Sequence, residues 1–413
     1  MFPVHSNPID VERNKNRTYM TSHHARNLSM FRIVMTLTFV HSGDWHIGKP
    51  FGGLPVEQAA KLRGARLEAI DKLAEVARAG RAACILVAGD LFDRPSLADR
   101  DLRIPLSQMA AQADIVWHVI PGNHDPAAPG GAWERVVRGG MPTNVHLHLK
   151  PEPVPLTDDA WLLPAPLAAK SVTSDPTEWM DSAATPPGAL RIGLAHGSVQ
   201  GFGSERAASV AIAPDRVRRA GLDFLALGDW HGTQQIGPRC WYAGTPEPDS
   251  FLSNGQGHAL LVSVGGTATP PSVQRLDVGT YRWLERTISA GRSTDLAALE
   301  GEVEGLGTRA WRALFSVSIE GHASFEQDRD IRARLDKLDG RVFHLATRFQ
   351  AMILDIGDDD MKGLGSPELE ALGRELSAAA RDPGHPEHHV ASRALRHLLE
   401  MCARIDGGAG RPS

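Results

Sequence analysis

The sequence predicts an α/β protein: a layered sheet-and-helix domain, then a small second α/β module and a helical tail. Three observations carry that expectation. Five short apolar runs recur, each passing directly into a polar loop; segments of helical spacing separate the early ones; and the composition changes at about Thr280. Strand and helix alternating along a chain is the signature of a layered α/β domain.

Residues 1–34 are polar, basic and without period, a composition that cannot bury enough apolar surface to fold. They are expected to form a disordered leader, with Met35, which heads TLTFVHSGDWH, as an alternative start. Leu37 to Val40 is the first strand and leads into Asp44-Trp45-His46. From Leu62 to Ala79 apolar residues (Leu62, Ala69, Ile70, Leu73, Val76) keep helical spacing, a crossover helix between the first two strands. Cys84 to Ala88 runs into Gly89-Asp90, and Leu97 to Ala111 is a weaker helix, expected to be interrupted at Pro105. Ile115 to Ile120 is a β-branched and aromatic run closed by Pro-Gly, which puts Asn123, His124 and Asp125 on the loop at its carboxyl end.

NVHLHL (144–149) alternates as an edge strand with His146 and His148 on one exposed face, and Trp161 to Pro164 is another strand. Arg191 to Ala195 delivers His196, and Asp223 to Leu227 delivers Gly228-Asp229-Trp230-His231. Trp241 to Gly244, Ala259 to Val264 and Val273 to Leu276 are short strands expected to complete the second sheet of a sandwich. The domain is thus placed at 35–280. Residues 281–355 form the small module, expected to be a substrate-guiding cap, with Leu296, Leu299 and Val303 helical and Phe315, Val317 and Ile319 alternating. The tail, 356–413, holds two helices, Pro367 to Ala380 and Val390 to Ile405; Leu395, Leu398, Leu399 and Cys402 form a stripe expected to pack on its own domain. Between them His385, His388 and His389 are expected in a solvated loop.

At 413 residues the chain needs no staples for its core. Three dispersed cysteines, one inside an apolar strand, argue against a disulfide framework and for a reducing cytoplasm. No run approaches the roughly 20 apolar residues of a membrane span, so no membrane association is expected. A net charge of −5 does not advertise a nucleic-acid binder, although bound metal can supply positive charge locally.

Five strands, each delivering Asp, His or Asn at its end, would gather carboxylates and imidazoles at one place, and such groups are metal ligands first. The five motifs together resemble the calcineurin-like metallophosphoesterases, whose pattern is D-x-H, G-D, G-N-H-D or E, a G-H or H-G step and G-H-x-H. The strings GDLFDRPS, PGNHDP, AHGSVQGF, GLDFLALGDWHGTQQI and WYAGTPEPDSF are similar to the SbcD and YhaO branch of DNA-repair-type nucleases. The resemblance implies a four-layer α/β/β/α sandwich and two divalent metal ions, Mn²⁺ first, with Mg²⁺ or Fe as alternatives. One ion would be held by Asp44, His46, Asp90 and His231, the other by Asp90, Asn123, His196 and Asp229, with Asp90 bridging. His124 would donate a hydrogen bond or proton at the phosphate and the leaving oxygen, with Asp125 fixing its tautomer. Asp229 departs from the pattern, which has His there; a third carboxylate favours hard metals, and the alternative is that Asp229 supports His231 without ligating.

Trp45 and Trp230, each the middle residue of D-W-H, are expected to pack behind the metals rather than stack on a base. Arg329, Arg332, Arg334, Lys337 and Arg341 alternate with Asp328, Asp330, Asp336 and Asp339, which fits either a DNA-binding surface or an ordinary solvated helix. The expected activity is phosphodiester hydrolysis on DNA by an exonuclease or endonuclease. The resemblance adds an SbcC-like coiled-coil ATPase partner, and homodimerisation is left open. The alternatives are a phosphoesterase for a nucleotide or other small substrate, and a non-catalytic scaffold.

Overall fold

Alternation of apolar side chains along the strands builds two large sheets, each with an apolar surface on both faces. The structure, a computed structural model, describes residues 36–202, 209–253, 255–266, 268–355, 357, 361, 364–382 and 384–408; the proposed leader and Met35 lie outside them. In chain order the strands are β1 (Leu37–Ser42), β2 (Ile85–Ala88), β3 (Trp117–Ile120), β4 (Val145–Leu147), β5 (Val154–Thr157), β6 (Ala160–Ala165), β7 (Leu190–His196), β8 (Ser198–Val199), β9 (Ala211–Ile212), β10 (Phe224–Gly228), β11 (Gln234–Gly237), β12 (Cys240–Tyr242), β13 (Gly255–Val264), β14 (Ser272–Ser289), β15 (Ala313–Ser324) and β16 (His344–Asp355). The helices are α1 (Val56–Ala79), α2 (Asp99–Ala111), α3 (Ala132–Arg138), α4 (Arg216–Arg219), α5 (Ser293–Leu306), α6 (Phe325–Asp339), α7 (Pro367–Arg381) and α8 (His388–Gly408).

The first sheet has the order β16-β15-β14-β13-β1-β2-β3-β4 and the second β11-β12-β10-β7-β6-β5. Successive residues of a strand face opposite ways. Val40, Ile85, Val87, Trp117 and Val119 pack outward on Ile70 and Leu73 of α1 and on Leu102 and Met109 of α2. Their neighbours Phe39, Leu86, Ala88 and Ile120 point inward onto Leu162, Ile192, Leu194 and Phe224 of the second sheet. The outer face of that sheet, with Leu163, Ala195, Leu225 and Leu227, is covered by Met180 and Val199. The fold is therefore an α/β/β/α sandwich whose fourth layer is thin: the one-turn helix at Glu178–Asp181 and the four-residue α4.

Five expectations change. His146 is exposed but His148 is not: it is buried, its Nε2 3.0 Å from His118 Nδ1. β13 and β14 do not complete the second sheet; β13 pairs antiparallel with β1, Leu37 opposite Val264, because Leu260, Val262 and Val264 supply inward-facing surface beside Phe39. β14 is one strand of 18 residues, antiparallel to β13 in its first half and parallel to β15 in its second, so the boundary at Thr280 falls inside it. Buried Glu247 accepts the backbone N–H groups of Thr280 (2.6 Å) and Tyr281 (2.9 Å) at that crossing. Pro105 lies within α2 without interrupting it. The carbonyl it leaves unbonded belongs to exposed Asp101, where water can serve it. And the histidine loop of the tail is partly helical, since α8 starts at His388.

The second module extends the first sheet. Phe315, Val317 and Ile319 of β15 face Leu296, Leu299 and Val303 of α5 and Ile331, Leu335 and Leu338 of α6. Leu395 and Leu399 of α8 pack on Leu354, Met361 and Leu364, so the tail stripe is used within the chain. Cys84 and Cys240 are buried free thiols, and among the described residues no helix is long and apolar enough to cross a membrane.

Candidate metal centre

Each expected ligand stands where a parallel strand stops: Asp44 and His46 after β1, Asp90 after β2, Asn123 after β3, His196 at the end of β7, Asp229 and His231 after β10. Turning the chain sharply there costs backbone strain. Six described residues other than glycine have positive φ, and four of them are Asp44 (53°), His46 (44°), Asp90 (52°) and Asp229 (105°). Such conformations cost on the order of 1–3 kcal/mol each and persist where the surroundings over-determine them. Two glycines are required by close approach: a Cβ on Gly122 would lie 2.1 Å from Asp90 Oδ1, and one on Gly228 2.0 Å from the Ala88 carbonyl oxygen.

The side chains converge in two sets. Asp44, His46 and His231 present ligand atoms all within 4.8 Å of one another, as do Asp44, Asp90 and His196. His46 Nε2 and His231 Nε2 face each other at 3.1 Å. Asp90 Oδ2 lies 3.7 Å from His46 Nε2 and 3.5 Å from His196 Nε2, midway between the sets. Asn123 Oδ1 is 3.0 Å and Asp229 Oδ1 3.9 Å from His196 Nε2. All seven expected ligands are thus brought together. Asp229 uses its other oxygen to accept the Ser198 hydroxyl at 2.5 Å, and its N–H donates to both oxygens of Asp44.

Electrostatics show what this pocket lacks. Burial, with Asp90 and Asp229 adding to it, pushes the Asp44 carboxyl up to about 6. Against its burial, the carboxylates of Asp90, Asp44 and Asp229 raise the His196 imidazole to about 9. A buried cluster that protonates its own ligands is short of positive charge, and neutral imidazoles with carboxylates are the donor set that dications take. The residues therefore fit two metal ions. His46, by contrast, is held well below the ordinary imidazole range by burial and by His231, so it is a neutral donor.

His124 is close to the cluster: its ring packs edge-on against His46 at 4.8 Å, and it can join His46 and Asp90 as a ligand-capable group. Its expected partner is wrong. Asp125 is fully buried and its two oxygens accept the backbone N–H groups of Gly122 (2.7 Å) and Phe92 (3.0 Å), clamping the loop. The tautomer is set by the Asp93 carbonyl, 2.9 Å from His124 Nδ1, which leaves Nε2 for a ligand or substrate.

Sequence reasoning missed the support behind His231. Asp249 Oδ1 lies 3.1 Å from His231 Nδ1, so Nδ1 carries the proton and Nε2 presents its lone pair. Asp249 is buried, yet His231, Arg66 and Lys49 hold its carboxyl far below the usual range; the Lys49 ammonium is 2.6 Å away and the Arg66 guanidinium 3.6 Å. Arg66 also donates to the Trp45 carbonyl. One signal was available, since Arg66 sits on the apolar stripe of α1 between Leu62 and Ala69–Ile70, where an unpaired arginine is out of place.

The two D-W-H tryptophans part company. Trp45 is buried, donates to Ser42 Oγ at 2.9 Å and meets Trp117 edge-on, as expected of packing. Trp230 is 42 % exposed and touches Phe202 edge-on at 5.4 Å, contrary to that expectation. It follows a strand with both faces already filled, so its indole has no core to enter.

Comparison with known proteins agrees with this architecture. The uncharacterized metallophosphoesterase YhaO of Bacillus subtilis is 26 % identical over 285 residues, which cover 65 % of this chain and 67 % of that protein. The D component of nuclease SbcCD from Rhodobacter capsulatus is 27 % identical over 288 residues, covering 57 % of this chain and 68 % of that protein. The family model for calcineurin-like phosphoesterases matches residues 37–233, the span that holds every expected ligand. The chain therefore carries a calcineurin-like metallophosphoesterase domain.

Proposed function

We propose that this protein hydrolyses phosphodiester bonds of DNA at a centre of two divalent ions, Mn²⁺ foremost. The observation that supports hydrolysis is the convergence of Asp44, His46, Asp90, Asn123, His196, Asp229 and His231 on two overlapping ligand sets. Held by these residues, two such ions would activate water at neutral pH and neutralise charge on the phosphoryl oxygens. The chain's own residues do the rest. Asp90, between the two sets, serves both; Asp249 fixes the donor nitrogen of His231; and the Asp93 carbonyl aims His124 Nε2 at the phosphate and leaving oxygen.

DNA as the substrate is supported by Trp230, an exposed indole between two ligands with Phe202 beside it, because base–aromatic stacking serves any base. The Rhodobacter relative, named as a component of a nuclease, points the same way. By extension an SbcC-like coiled-coil ATPase is the proposed partner, and residues 281–355 guide the strand.

The test is Mn²⁺-dependent degradation of end-labelled single- and double-stranded DNA, beside bis-p-nitrophenyl phosphate, by the full-length chain and by His124→Ala. Metal-dependent cleavage reduced about 10²- to 10⁴-fold in the variant, the usual worth of a positioned acid, is the expected result. Hydrolysis of the small diester with DNA untouched would shift the substrate to a small phosphoester, and inactivity on both without metal binding would leave a scaffold.

A further inference from the structure

A cavity of about 490 Å³ lies among α6, β16 and α8, lined by residues that play no part in the metal centre. Three guanidinium groups face it, Arg332, Arg393 and Arg396, with His388, His389 and the ring of Phe349; no carboxylate lines it. In a chain of net charge −5 this is a concentration of positive charge against the overall balance. The acid that binds these guanidiniums directly is Asp328, fully buried, whose carboxylate accepts from Arg332 Nε (2.9 and 3.0 Å) and Arg396 Nε (2.9 Å), with Glu400 a further negative charge near Arg396. One carboxylate thus orients two guanidiniums and cancels one of their charges. The Arg332 guanidinium carbon lies 3.7 Å from the centroid of the Phe349 ring, and its Nη2 is buried with no hydrogen-bond partner. Arg393 is exposed and takes part in no ion pair among the described residues.

Three guanidiniums and the first turn of a 21-residue helix at His388 together favour an anion in this cavity. The volume is that of a small-molecule pocket, and Phe349, Met352 and Ile353 offer apolar surface on one side. We propose that this cavity binds a phosphate ester carrying an aromatic or apolar group, of the kind a nucleotide presents. The phosphate lies against Arg332, Arg393 and Arg396, and the organic part against the β16 side. The same chemistry could arrive as a free mononucleotide or as a nucleotide of a strand. The proposal is independent of the nuclease reading, since none of its residues is in the metal centre.

The test is calorimetric titration of the full-length chain with dAMP, inorganic phosphate and a short oligonucleotide, each after EDTA dialysis and again with Mn²⁺, so that binding at the metal centre shows itself by its dependence on the ion. Saturable, ion-independent binding of dAMP is expected, weakened about tenfold or more in Arg393→Glu and restored by Arg393→Lys. His389→Ala serves as a second variant should Arg393→Glu melt abnormally. Arginine-sensitive binding of the oligonucleotide alone would assign the phosphate to a strand, still within the proposal. Inorganic phosphate binding as tightly as dAMP would overturn the role of the β16 side. Binding unaltered by both variants, or no saturable binding of any of the three, would overturn the site.

Discussion

Among single residues, the centre depends on side chains that never meet the substrate. Asp249 sets the tautomer of His231 and pairs with Lys49 and Arg66, so removing it outright would take from a buried guanidinium the carboxylate that acts on it most strongly. Asp249→Asn keeps an acceptor and loses the charge; Mn²⁺ affinity by calorimetry is expected to fall about 10- to 100-fold, as for other partners of metal-bound histidines. An unchanged affinity would show that His231 is oriented by packing alone. Trp230→Ala tests the exposed indole. If it stacks on a base, the preference for base-bearing over abasic DNA, read as a ratio of kcat/KM, drops by about tenfold, the worth of one stacked base. A ratio equal to that of the unaltered protein would return Trp230 to a packing role.

Among secondary-structure elements, the site is a property of strand ends. β2 and β10 belong to different sheets, yet their ends approach so closely that Gly228 has no room for a Cβ beside the Ala88 carbonyl. Gly228→Ala is therefore expected to destabilise the fold by roughly 1–3 kcal/mol, the range for overpacking, and to move Asp229 away from Asp44. Chemical denaturation and metal titration of the same sample measure both effects, and a variant normal in both would contradict the close approach. The second module leans on β14, whose later half pairs with β15. Phe315 is fully buried between β15 and its helices. Phe315→Ala should cost about 3–5 kcal/mol in the denaturation of that part, with little change in the metal affinity of the centre.

Across the molecule, charge links stability to metal. In the metal-free chain Asp44 is raised to about 6 and His196 to about 9, both above their ordinary values. A raised carboxyl loses stability as pH climbs from its unfolded value near 4 towards 6. A raised imidazole contributes fully below about 6.5 and loses that contribution as pH climbs through 9. Both signs agree, so the contribution of these two groups to the stability of the metal-free chain falls as pH rises, while bound dications would replace the missing protons. The rise in Tm on adding Mn²⁺ should therefore be larger at about pH 8.5 than at about pH 6, against about 2.7 kcal/mol of stabilisation at 100 times Kd. An increment independent of pH would show that His196 and Asp44 do not exchange protons for metal.

The strands and the groups at their ends were legible in the amino-acid sequence. Alternation and turn residues are local properties, and five apolar runs closed by Gly, Asp, His or Asn state both where a strand stops and what it delivers. The helices of the second module and tail were legible for the same reason, as were buried Trp45 and the packing stripe at Leu395 and Leu399. Which sheet β13 and β14 join was settled by tertiary structure, because pairing is a choice among partners distant in sequence that alternation does not encode. So was the direction of His124 by Asp93 rather than Asp125, and the placing of Asp249 behind His231 from 18 residues away, since a hydrogen bond depends on ångström-level placement rather than on spacing. Tertiary packing also separated Trp230 from Trp45, two identical motifs, because exposure is set by what neighbouring elements leave uncovered.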